Sequence, residues 1–227
     1  MEITQHRAAK VIGLMFLFGM ANSLFVEIYL RGSLFVPGNF AASAENIMSN
    51  PIQFRTSVAL DFLTNISVLL LAWSFYILVK PINRALALLG VLLRSVEVSF
   101  FCLVLVSRLA VVLLLSNDDF LKVFEPAQLQ ALSRVTVKLW NEAYTVGFAL
   151  LGLGSTVFNY LLYRSDYVPK LLAGLGVFSS SLVFISAFII IIFPALGNVP
   201  FWLGPIFIYE IALGLWFVFK APRLTTT

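Results

Sequence analysis

At 227 residues, 60% hydrophobic and 11% charged, with a mean hydropathy of +0.97, the chain has far less charge than the roughly 25% of a soluble domain, which excludes a soluble protein and predicts an integral membrane one. The formal charge of +4 does not imply a nucleic-acid partner, because the basic residues gather at the ends of apolar runs, where they set orientation. With one cysteine, Cys102, and one histidine, His6, an intramolecular disulfide, a Cys-rich zinc site, paired-His haem ligation and an intramembrane Ser-His-Asp triad are all excluded, and no cofactor or metal is implied.

In chain order, the first apolar run covers residues 8–30. Arg7 and Lys10 ahead of its apolar stretch from Val11 to Met20 mimic a cleaved signal, but the segment is read as a retained first span. A loop over 31–53 follows, with a Pro37-Gly38-Asn39 turn and a short interfacial helix over 40–48. Further spans are expected over 54–79, 85–115, 135–163, 171–193 and 201–219. Between the third and fourth lies a loop over 116–133, where Glu125-Pro126 opens a second amphipathic stretch. Two tight turns, Lys80-Pro81-Ile82-Asn83-Arg84 and Arg164 to Lys170 around Pro169, end helices with a proline. A span in lipid must satisfy its own backbone, so all six are helices. The expected fold is therefore all-α: a single transmembrane helical domain over residues 1–227, built as a six-helix bundle.

Loop charges orient it. One side carries Arg7, Lys10, Lys80, Arg84, Arg164, Lys170, Lys220 and Arg223 against Glu2 and Asp166. The other mixes Arg31, Arg55, Lys122 and Arg134 with Glu45, Asp118, Asp119 and Glu125. Both termini are thus expected to be cytoplasmic. Pro51-Ile52-Gln53-Phe54-Arg55 and Pro126-Ala127-Gln128-Leu129 with Arg134 echo one another ahead of two spans, a likeness that fits repeated two-helix units or, the reading preferred, the punctuation that helical hairpins share.

Charges inside the spans carry the functional signal. Asp61, Arg94, Glu97, Arg108, Glu142 and Glu210 interrupt apolar runs, and each costs about 2.5–3.5 kcal/mol in the hydrocarbon unless paired or hydrated. Arg94 and Glu97 pair as i,i+3 neighbours, and Arg108 shares their stripe. The fourth span has a polar stripe of Arg134, Lys138, Asn141, Thr145, Gly152, Thr156, Asn159 and Tyr163, with Glu142 beside it. It suits a hydrated face or close helix packing. Ser57, Asp61, Thr64 and Asn65 share a face of the second span. If these faces meet, Asp61, Asn65, Asn141 and Glu142 form an outward-facing polar site with Arg108 as countercharge, rimmed by Glu27 and Arg31. Glu210 finds a partner on another helix, such as Arg94, or is carried as the neutral acid; with Arg94 and Glu97 it forms either a proton-coupling group or a structural ion pair. Trp73, Trp140, Trp202 and Trp216 mark the membrane interfaces.

Leu34-Phe35-Val36-Pro37-Gly38-Asn39, the Lys80–Arg84 turn, Pro126-Ala127-Gln128-Leu129-Gln130-Ala131-Leu132 and Tyr160-Leu161-Leu162-Tyr163-Arg164-Ser165 together resemble a bacterial membrane family catalogued as domain of unknown function 4386. The resemblance spans nearly the whole chain and implies a bundle in the bacterial inner membrane. It implies no activity, substrate or site residue.

Three functions fit the sequence. One is a binder or transporter of a small polar or amphiphilic molecule through the outward-facing cavity. Another is an accessory subunit bound to a membrane-protein partner, its internal charges only locking its helices. The third is a membrane enzyme acting on a lipid, quinone or isoprenoid, with Asp61 and Glu142 as acid and base.

Overall fold

The computed structural model describes residues 4–116, 118–198 and 203–220. Among them the structure is helical and contains no strand. Helix α1 (Gln5–Phe25) continues through a π-helical turn, Val26–Arg31. It is followed by α2 (Phe40–Ser49), α3 (Pro51–Val79), α4 (Arg84–Leu114), α5 (Pro126–Arg164), α6 (Lys170–Ile192) and α7 (Gly204–Lys220), with short 3-10 turns at Asp119–Val123 and Pro194–Asn198. Five helices, the first extending over Gln5–Arg31 and the others being α3 to α6, are long and apolar enough to cross a membrane. Helix α7, at 17 residues, is shorter than the about 20 that a span needs. Phe201 and Trp202, expected at the start of that span, lie outside the described residues, as do Glu2 and Arg223 of the loop-charge count.

Asparagine side chains set two of the helix starts. Asn39 Oδ1 accepts the Ala42 amide at 3.1 Å and caps α2. Asn83 Oδ1 does the same for the Leu86 amide at 3.0 Å, at the start of α4. One boundary differs from expectation: the stretch opened by Pro126 and the span from 135 are a single 39-residue helix, α5. Proline at a first helical position costs nothing, since its missing N–H would have no partner there, and no breaker follows. At 1.5 Å per residue this helix is about 58 Å long, roughly twice the hydrocarbon thickness.

The chain divides into two compact units. One takes the described residues of Met1–Met20, Ile66–Ser99 and Thr145–Thr227, the other Ala21–Asn65 and Phe100–Tyr144. In the first, aromatic rings from α1, α3 and α5 pack in sequence: Phe16 sits edge-on to Phe75 at 6.0 Å, and Phe75 stacks on Phe158 at 4.8 Å. Tyr209, Leu213 and Phe217 of α7 complete this core. A Cβ at Gly152 would strike the backbone of α6 at Phe184, so the glycine is what lets α5 and α6 touch backbone to backbone. Gln5 ties α1 to Leu78 O at 3.1 Å and to the Tyr167 hydroxyl at 3.3 Å. Lys170 Nζ closes the second tight turn on Tyr163 O at 2.9 Å and Ser165 O at 2.6 Å.

In the second unit, Leu34, Ile47, Phe54, Val58, Leu105 and Val112 form one apolar cluster, and Val104, Val111, Trp140 and Ala143 another. Asn22 Nδ2 donates to Leu60 O at 2.9 Å and to Thr64 Oγ1 at 2.8 Å, while Gln53 Nε2 donates to Leu30 O at 2.8 Å. These side-chain bonds hold α1 and its π turn to α3.

Candidate functional sites

In the second unit, two buried arginines converge on one carboxylate. Arg31 Nη2 lies 2.8 Å from both oxygens of Asp61, and Arg108 Nη1 lies 2.5 Å from Oδ2. Arg108 also donates to the Tyr144 hydroxyl at 3.0 Å, with its guanidinium over the rings of Trp140 at 5.6 Å and Tyr144 at 5.4 Å. Arg31 Nη1 reaches the exposed Glu27 at 3.1 Å. Two acids balance two bases, and both Asp61 oxygens are occupied. The arrangement ties the end of α1, α3, α4 and α5 together through charge.

Of the sequence-predicted set, the structure pairs Asp61 with Arg108. Asn65 is buried and donates to Cys102 Sγ at 3.6 Å. Asn141 and Glu142 lie on an exposed face of α5, whose buried face carries Trp140, Ala143 and Gly147. The expected pairing of Asp61 with Glu142 is therefore replaced by Asp61 with Arg31. The reason is helical phase: at 100° per residue, 140, 143, 144 and 147 share a side that 141 and 142 do not. Arg31 is not a rim residue, because the π turn carries it inward, where it is 4% exposed.

In the first unit, a crevice of about 270 Å³, open mouth included, is lined by Arg94 from α4, Ser155 and Asn159 from α5, and Tyr209 and Glu210 from α7. Phe16, Leu71, Phe75, Phe158 and Ile206 form its apolar walls. Its enclosed part has room for about one water. Arg94 donates to Ser155 Oγ at 3.2 Å, and its Nη1 lies 3.0 Å from Glu97 Oε2. Glu97 is fully buried, yet among the described residues no donor makes a well-directed hydrogen bond to either of its oxygens; Arg94 Nε is unpartnered too.

Behind the crevice runs a polar chain. The Tyr209 hydroxyl donates to Asn159 Oδ1, Asn159 Nδ2 donates to Ser180 Oγ at 3.2 Å, and Ser180 donates to Gly176 O at 2.5 Å. A Cβ at residue 176 would run into the Tyr209 ring, so Gly176 is the reason this tyrosine reaches Asn159. Arg94, Glu97 and Glu210 were legible as charges in spans. Tyr209 and Ser155 carried no comparable signal, being uncharged residues common in helices. Among the described residues, no three His, Cys, Asp or Glu side chains converge as a metal-holding group.

No curated protein and no solved structure matches the chain. Its several apolar helices fit a multi-pass membrane protein, and residues 11–221 match the family described as domain of unknown function (DUF4386). With that match covering most of its length, the chain belongs to this family.

Proposed function

We propose that the protein is a six-span protein of the bacterial inner membrane, both termini cytoplasmic, that binds or transports a small polar molecule at the crevice of Arg94, Ser155, Asn159, Tyr209 and Glu210. The observation that carries this reading is the convergence of polar side chains from three helices on one crevice, within segments where each unpaired charge is costly. The Asp61 clamp, by contrast, reads as architecture, since its carboxylate is already fully engaged.

Cysteine accessibility tests this. Cys102 is the only cysteine, so Ser155→Cys in a Cys102→Ser background gives one reporter thiol at the crevice. Silver ion, no larger than the water that the enclosed part holds, is expected to label it in membrane vesicles much faster than Ser179→Cys, at a fully buried serine. Equal, slow labelling of both would mean a sealed crevice and would overturn the reading. The alternative favoured by the Asp61 clamp is an accessory subunit; a stoichiometric partner retained in mild detergent would support it.

A further inference from the structure

We infer that the crevice holds one monovalent cation, a proton or a sodium ion, bound through Glu210 and Glu97 beside Arg94; this rests on the crevice being a ligand site. The first ground is a charge count. Arg94 is the only base among the described residues lining the crevice, whereas Glu210 lines it and Glu97 touches Arg94 at 3.0 Å. One guanidinium neutralises one carboxylate, so the trio is left with one negative charge, which an apolar surrounding disfavours strongly. One bound positive charge removes the deficit.

The second ground is unsatisfied bonding. Glu97 is fully buried, and among the described residues neither of its oxygens receives a well-directed hydrogen bond, so its acceptors are open to a proton or an ion. The third is the neutral lining. Ser155, Asn159 and the Tyr209 hydroxyl offer oxygens beside Glu210 without adding charge, as suits a singly charged guest, and the enclosed space admits nothing much larger than water. The groups that line the crevice with Glu210 are Arg94 from α4, Tyr209 from its own helix, Ser155 and Asn159 from α5, and apolar side chains from α1, α3, α5 and α7.

The experiment uses the full chain in lipid nanodiscs. In the proton arm, infrared spectra are titrated with pH, and a protonated-carboxyl C=O band that shifts in heavy water is expected to be present in the wild type and lost in Glu210→Gln or Glu97→Gln. In the sodium arm, thermal unfolding is compared in sodium and choline chloride at equal ionic strength. A saturable, sodium-specific rise in Tm is expected, abolished in Glu210→Gln and retained in Glu27→Gln. Success in one arm names the cation. A folded wild type with neither a titrating carboxyl band nor a sodium-specific shift overturns the inference. Silence in both arms with Ser155→Cys still labelled removes the cation alone, whereas a sealed Ser155→Cys removes the crevice reading as well. Circular dichroism confirms that each variant is folded, and if Glu97→Gln fails to fold, Glu210→Gln carries both arms.

Discussion

Arg31 and Arg108 share the Asp61 carboxylate, so removing it leaves Arg108 with no carboxylate and Arg31 with the exposed Glu27 alone. Asp61→Ala is expected to cost about 3–5 kcal/mol, the scale for breaking a buried pair by deleting one partner. Glu27→Ala deletes an acid whose side chain is 61% exposed and is expected to cost at most about 1 kcal/mol. Denaturant unfolding in detergent micelles separates the two, and comparable losses would mean that the clamp is not the structural tie described here. Adding Arg108→Leu to Asp61→Ala should recover part of the loss, since one stranded charge then disappears. On the other unit, Tyr209→Phe leaves Asn159 Oδ1 buried without its donor and is expected to cost about 1–3 kcal/mol. The double change with Asn159→Leu should cost less than the sum of the two single changes, because the two residues share one interaction. At this scale the sequence was informative where spacing fixes contact. Arg94 and Glu97 had to meet, being three apart on one helix, and Arg108 was the natural countercharge for Asp61. Arg31 was hidden because a π turn shifts its helical phase, and no residue type announces such a turn.

Helix contacts are set by a few small residues. In lipid there is no contrast between apolar side chain and solvent to phase a helix, so its rotation is chosen by where backbones can approach and polar groups can pair. Runs that are apolar all round therefore gave the helices' existence and approximate ends, with Pro81 and Pro169 fixing two of the turns. They could not say which faces meet. That is why Asn141 and Glu142, which looked like the heart of a polar stripe, lie exposed while Trp140 packs inward and Tyr144 meets Arg108. Gly152 and Gly174 give opposite tests of this view. Alanine at 152 would collide with the α6 backbone at Phe184, and the strain is expected to cost about 1–3 kcal/mol. Alanine at 174 would meet only the Tyr163 ring at 3.9 Å, so the gain in helix propensity, about 0.5–1 kcal/mol, should dominate and raise stability slightly. Thermal unfolding of the two variants checks the signs, and a stabilising Gly152→Ala would show that α5 and α6 are not in backbone contact.

For the whole molecule, orientation follows from how charge is distributed between the connecting segments. Eight bases oppose two acids on one side of the proposed topology, and four oppose four on the other. The structure sharpens the difference, because Arg31 is buried in the clamp and no longer counts as a free loop base. Its removal leaves Arg55, Lys122 and Arg134, and Lys122 pairs with Asp119 at 2.5 Å. In the proposed topology this bias puts the turns at Asn83 and Ser165 on the cytoplasmic side. The 17-residue α7 is expected to cross: at about 1.5 Å per residue it reaches roughly 25 Å, within the range that local thinning of the bilayer accommodates. Alkaline phosphatase, active only outside the cytoplasm, resolves it. Fusions after Asn50 or Asp119 are expected to be active, and those after Asn83, Ser165 or Lys220 inactive. Activity after Lys220 together with inactivity after Ser165 would mean that the chain crosses five times and that α7 does not return it. The carboxylate of Glu210 would then approach the crevice from a helix lying outside the hydrocarbon, and the desolvation that makes its charge expensive, on which the cation site depends, would be lost with it.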